Sequence, residues 1–264
     1  MDNNLVVVVG SGVFTTSPLP GQDILATAIE NRGFNVEKVF REHPRDIYVH
    51  NKGRYFRKKD HGKHAEGGMI LEGIDYLLIS ENAFVESEWF SLEDAKTGRI
   101  DREAYREWTK QRTEALYGTR VYVLRSKQFM PQGTEGHLDY PLLLLPHSRI
   151  LLIDDGEANK TIEEEALQEV VRTEDLEVIH HFDPSYHSCG KPLNALVLSD
   201  KGRDVVFHDR NARQLGRLLE RKGVEAISVD FPPFSQAYAL PFIHCSVNTY
   251  TKDVAVTIDF LLER

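Results

Sequence analysis

LNALVLSDKGRDVVFHDRNARQLGRLLERKGVEAISVD, residues 193–230, contains one complete structural unit. Two Val- and Leu-rich runs, LNALVLSD and DVVFHD, flank the turn-forming pair Lys201-Gly202, as in a β-hairpin. NARQLGRLLERKG then reads as a helix. Asn211 is placed to cap its start, Leu215, Leu218 and Leu219 share one face, and Gly223 suits its C-terminal cap. VEAISVDF follows with the alternation of a strand. The order is strand, strand, helix, strand.

The same order recurs upstream. YPLLLLP and RILLIDD flank the turn His147-Ser148, TIEEEALQEVVR is a helix with Thr161 and Glu164 as a capping box, and LEVIHHF is a strand. Earlier still, RDIYVHN, GGMILEG and DYLLISE are strand material. DREAYREWTKQRTEALYG is a helix ended by Gly118, and TRVYVLR is a strand. The chain begins with LVVVVG, a helix near DILATAIENRG, and FNVEKVF. A pseudo-repeated ββαβ unit explains this order, and no Pro-, Gly- or Ser-rich linker divides residues 1–264 into separate domains. The expected architecture is a single α/β domain.

Composition narrows the function classes. The 264 residues are 41% hydrophobic and 28% charged, as in a globular protein with a sizeable core. A net charge of −9 argues against general binding to nucleic acid or anionic membranes, which needs clustered Lys and Arg. The one basic cluster, RYFRKKDHGKH from Arg54 to His64, is broken by Asp60 and reads as a solvated loop. LVVVVG is too short for a membrane span and no basic region precedes it, so the expected compartment is the cytoplasm. Cys189 and Cys245 alone make no disulfide framework. VVVVGSGVF opens like a dinucleotide-binding turn, but Thr15 stands where the third glycine belongs, so a tight turn after a buried strand is expected.

Four polar motifs lie next to the apolar runs, where a rigid sheet would display working groups. They are Arg45-Asp46, Glu66-Gly67-Gly68, TEGHLD from Thr134 to Asp139, and His244-Cys245. Each alone is compatible with a turn or a buried small side chain. Taken in order, RD, EGG, GHxD and HC resemble the motif series of the guanidine-modifying enzymes, the pentein superfamily, over nearly the whole chain. AEGGMILEGIDYLLISENAF, TEGHLDYPLLLLPHSRILLID and the 194–230 segment are most similar to agmatine and arginine deiminases, and more distantly to amidinotransferases. The resemblance implies a five-bladed α/β propeller of ββαβ units.

The chemistry suits these residue types. A guanidinium is planar and cationic, and fixed carboxylates can accept paired hydrogen bonds from it. Asp46, Glu66 and Asp139 can supply them. A thiolate is an effective nucleophile towards the central carbon, and a group of near-neutral pKa can protonate the departing amine and then activate water. By resemblance Cys245 is the nucleophile that forms a thiouronium intermediate, and His137 is the general acid and then base. Glu66 would pair with His137 and the guanidino group, while Asp46 and Asp139 hold the guanidinium. His244, beside the cysteine, is not expected to be its base. Leu240-Pro241-Phe242 stands where the family usually has glycines, so the access loop is expected to differ.

The expected function is a cysteine-dependent deiminase acting on a small cationic guanidino substrate, without metal or other cofactor. Amidino transfer to an amine and a non-catalytic pentein that only binds remain as alternatives, and a homodimer is left open. His180, His181, Asp183, His187 and Cys189 offer zinc-ligand types, but their spacing fits no closed zinc motif. Tyr105, Trp108 and Trp89 are expected to pack around the long helix.

Overall fold

The computed structural model describes residues 5–10, 20–39, 48–51, 54–57, 67–84, 101–127, 137–156, 162–183, 191–230, 243–244 and 247–251. In chain order its elements are β1 (Leu5–Gly10), α1 (Pro20–Asn31), β2 (Asn35–Val39), β3 (Tyr48–Asn51), β4 (Arg54–Arg57), β5 (Ile70–Glu72) and β6 (Tyr76–Ser80). They continue with α2 (Arg102–Tyr117), β7 (Arg120–Leu124), β8 (Leu142–Leu145), β9 (Ile150–Asp154), α3 (Glu164–Glu174) and β10 (Glu177–His181). The last are β11 (Leu196–Asp200), β12 (Arg203–Asp209), α4 (Arg213–Arg221), β13 (Glu225–Val229) and β14 (Val247–Thr251).

Three sheets share one plan. In β5-β6-β7, β8-β9-β10 and β11-β12-β13 the first strand is antiparallel to the second. The third returns parallel to the second after a helix. Sheet β14-β1-β2 fits that plan only because the C-terminal strand supplies its first member, with Leu5 opposite Thr251 in an antiparallel pair. Sequence inspection had left this unit one strand short. The remaining sheet pairs β3 with β4, Tyr48 opposite Arg57. The start of the basic cluster is therefore a strand and not a loop, because Tyr55 and Phe56 favour pleated backbone despite the flanking arginines.

Turn and cap residues set these boundaries, with one correction. Lys201 and Gly202 both take positive φ, 50° and 74°, as a two-residue hairpin turn requires. Gly118 ends α2 at φ 63°, its N–H donating to the Glu114 carbonyl, and Gly223 follows α4 at φ 73°. Asn211 does not cap α4. The residue at that position is Ala212, and Asn211 instead donates from its backbone and side-chain nitrogens to Asp209. Helix α3 is preceded by Glu163, which makes no side-chain cap, and the expected box of Thr161 and Glu164 rests on a residue without a described position. Thr161 lies outside the described residues.

Apolar side chains fill the spaces between successive sheets. Leu71, Tyr76 and Leu78 pack with Leu144, Leu151 and Val170, and Leu143, Leu145 and Leu152 pack with Val206, Leu215 and Leu219. Val7, Val9 and Leu25 then meet Leu196, Phe207 and Val229. Tyr105 is fully buried and stacks on Trp108, as expected of packing residues; Trp89 lies outside the described residues. A repeated polar contact accompanies this packing. The first residue of β7, β10 or β13 meets a residue at the end of the next unit's helix, as Arg120–Glu174, Glu177–Lys222 and Glu225–Arg32. One spatial relation thus recurs between successive units.

Candidate active site

The site is built at the chain positions that enter the first strand of each unit. Gly68 stands two residues before β5, Asp139 three before β8, Asn194 two before β11 and His244 three before β14. Since these strands occupy equivalent places in their sheets, the four positions converge at one end of the fold.

Gly68 joins the first two. Its carbonyl oxygen accepts from the backbone N–H groups of Leu138 at 2.7 Å and Asp139 at 3.2 Å. A Cβ on Gly68 would stand 2.3 Å from His137 Nδ1 and 2.9 Å from Asp139 Oδ1, so only glycine permits this approach. Leu138 turns into the core, which leaves its neighbours His137 and Asp139 facing each other. Both are buried, with His137 Nδ1 3.4 Å from Asp139 Oδ1 and the His137 ring stacked on Tyr140.

Asp139 also reaches the C-terminal motif. His244 Nδ1 lies 2.8 Å from Asp139 Oδ2, so one carboxylate stands between two imidazoles. Burial acts to raise the Asp139 pKa, but the hydrogen bonds from His137 and His244 outweigh it and hold the group well below the carboxylate range. An ionised carboxylate can only accept. The His244 Nδ1 at 2.8 Å is therefore the donor to it, which leaves Nε2 of that ring as the nitrogen able to exchange a proton.

Asn194, which sequence inspection passed over, completes the cluster. Its Nδ2 donates to Asp139 Oδ2 at 2.9 Å and its Oδ1 accepts from the His244 backbone N–H at 3.0 Å. Registering the repeats on their first strands would have marked it, since it occupies the place taken by Gly68, Asp139 and His244 in the other units. A cavity of about 350 Å³ begins at Asp139 and His244 and runs between apolar walls that include Leu142, Leu144, Ala195 and Val197. It is large enough for a small molecule.

Of the expected site residues, the structure brings together His137 and Asp139 and adds His244 and Asn194. Asp46, Glu66 and Cys245 lie outside the described residues, as does the 240–242 segment. In the alternative zinc-ligand segment, His180 Nδ1 meets Asp155 at 2.5 Å, while Asp183 is buried and accepts from Gln214. His187 and Cys189 lie outside the described residues. Among the described residues no group of three or more His, Cys, Asp and Glu is placed to hold a metal ion, and no helix is long and apolar enough to cross a membrane.

No protein-family model and no curated protein sequence matches the chain. Solved structures do. SxtG, an amidinotransferase from Microseira wollei in the saxitoxin biosynthetic pathway, superimposes with a TM-score of 0.58 at 11% identity, covering 97% of each chain. DDAH from Pseudomonas aeruginosa, complexed with citrulline, gives 0.55 at 12% identity over 93% of this chain and 98% of its own. The agmatine deiminase of Enterococcus faecalis gives 0.55 at 14% identity over 96% and 94%. The chain thus shares its α/β fold with these solved structures. Its structural neighbours include a deiminase and an amidinotransferase, and at these identities the likeness is one of fold.

Proposed function

We propose that the protein is a cysteine-dependent hydrolase of a small guanidino compound, of the deiminase kind, built as one domain over residues 1–264 with its units closed into a five-bladed propeller. The observation that carries this reading is the convergence of His137 and His244 on the Asp139 carboxylate, from segments more than a hundred residues apart. The chemistry of that set favours it. An ionised, oriented carboxylate fixes two imidazoles, and Cys245 is the residue that follows His244 in the chain.

In the proposed reaction the Cys245 thiolate adds to the guanidinium carbon and forms the C–S bond. Asp46, Glu66 and Asp139 hold the planar cation through its N–H groups. His137 gives a proton from Nε2 to the departing nitrogen as the C–N bond breaks, leaving a cationic thiouronium on sulfur. Water then adds to the same carbon and loses a proton to His137. Cleavage of the C–S bond returns the thiolate, and the proton left on the oxygen of the ureido product passes through solvent to the released ammonia or amine. The sum is guanidinium plus water giving a ureido product and ammonium, or an alkylammonium where the nitrogen is substituted. The participants among the described residues are the buried His137 and Asp139, and neither step calls for a metal or an organic cofactor.

Amidino transfer differs only in the second half, where an amine replaces water, and the likeness to an amidinotransferase structure keeps it as the second reading. Incubation with agmatine, arginine, methylated arginines and an arginine peptide, followed by mass spectrometry of the products, separates the two. Ureido products formed without an amine acceptor support hydrolysis. Turnover only when an amine is added supports transfer, and no turnover with any of them supports a protein that binds without catalysis.

A further inference from the structure

Asn194 contributes no charge and no nucleophile, yet like Gly68, Asp139 and His244 it stands two or three residues before the first strand of its unit. Its amide is fully directed inside the cluster. Nδ2 donates to Asp139 Oδ2 at 2.9 Å, and Oδ1 accepts from the His244 backbone N–H at 3.0 Å. His244 Nδ1 donates to the same Oδ2 at 2.8 Å. The three bonds form a closed triangle of side chain, carboxylate and backbone, and Asn194 is 95% buried within it, at 5% exposure.

The chemistry of the triangle is specific to an amide. The corner facing Asp139 must donate and the corner facing the His244 N–H must accept. Leucine has the volume but supplies neither, and serine is too short to reach both. Aspartate has the shape, but when ionised it offers a second carboxylate to Asp139 at hydrogen-bond distance, and two such groups cannot both stay charged without cost. Ile243 packs in the core beside Val7 and Leu196, and the triangle adds a polar anchor at His244.

We infer that Asn194 is a positioning residue that clasps the His244 backbone to Asp139 and thereby sets where Cys245, the next residue in the chain, is presented to the guanidinium carbon. This inference rests on the reading of Cys245 as the nucleophile. It goes beyond that reading by assigning the alignment of the nucleophile with the acid–base pair to a residue of a different unit. Because alignment acts through distance and angle, loss of the clasp lowers the rate of chemistry and leaves the grip of the other carboxylates on the substrate in place.

The test uses the full-length protein and iodoacetamide as the probe, with labelling of Cys245 and Cys189 followed separately by peptide mass mapping across pH 5–9. Wild-type Cys245 is expected to react faster at pH 6 than the same cysteine in the urea-unfolded chain. Asn194→Ala is expected to lose about a hundredfold in that rate. Asn194→Asp is expected to be impaired at neutral pH and to recover as the pH falls, when the shared proton restores a donor towards Asp139. That acid-side recovery is a signature that a merely structural asparagine would not give. If wild-type Cys245 reacts no faster than the unfolded thiol, the nucleophile reading itself fails. If wild-type Cys245 is fast and both variants match its rate and pH profile, the nucleophile reading stands and the clasp is overturned. Urea unfolding of each variant identifies any that does not fold, and the isosteric Asn194→Asp keeps the test decisive where Asn194→Ala does not fold.

Discussion

The space beside the Gly68 Cα belongs to the His137 imidazole, whose Nδ1 stands 2.3 Å from where a Cβ would be. The second glycine of the EGG motif is thus a packing requirement of the histidine segment. Gly68→Ala must displace His137, Asp139 or both, and overpacking of this kind costs about 1–3 kcal/mol. Urea unfolding is expected to show that loss. The rate of Cys245 alkylation is expected to change with it, whereas Gly202→Ala, whose Cβ would meet nothing within 4 Å, is expected to disturb only the β11–β12 turn.

Asp139→Asn replaces a carboxylate held below its ordinary range by His137 and His244. The folded pKa lies below the unfolded one, so ionised Asp139 stabilises the fold above the unfolded value near 3.8, and that contribution is lost as pH falls towards the folded value. The variant is expected to be less stable than wild type at pH 7, and the gap is expected to narrow at pH 3. Urea midpoints at the two pH values check it, and a gap that widens in acid would contradict the assignment.

His208 carries the opposite sign. Burial lowers its pKa and the Asp209 carbonyl, 2.9 Å from Nδ1, only partly offsets this. The neutral ring is favoured in the fold, so below about 6.5 the unfolded chain takes up a proton that the fold resists, and stability falls. His208→Phe is expected to flatten the change in urea midpoint between pH 7.5 and 5.5 relative to wild type.

Arg102 tests the support around the site. Glu81, fully buried at the end of β6, accepts from Arg102 Nε at 3.0 Å and from the Ser126 backbone N–H. Arg102→Ala leaves that carboxylate buried without its cation, at a cost of about 3 kcal/mol. Arg149→Ala breaks the exposed pair with Asp175 and is expected to cost about 0–1 kcal/mol. Denaturation of the two variants side by side gives the comparison.

The sequence made the ββαβ units legible where they were local. A hairpin such as β11–β12 announces itself through Lys201-Gly202, and helix α2 ends visibly at Gly118. Strand β14 was not legible because its partner β1 lies at the other end of the chain, so no turn joins them. The site divided in the same way. His137 and Asp139 carry titratable groups in a recognisable motif, and the structure places them side by side. Asn194 was missed because a single amide inside an apolar run has no local signal, and its role depends on two partners that are 55 and 50 residues away. The start of α4 differs from expectation because Asn211 bonds to Asp209 instead of capping the helix, a choice between neighbours that composition does not decide.

The central claim is that Cys245 attacks a guanidinium carbon. Its most direct test is the intact mass of the protein after acid quench during turnover of a guanidino substrate, with the modified residue mapped by peptide mass spectrometry. The account predicts an amidino adduct on Cys245 in the wild type, slowed formation and slowed hydrolysis of that adduct in His137→Ala, and neither adduct nor product in Cys245→Ala. Ureido product formed by Cys245→Ala at the wild-type rate would contradict it.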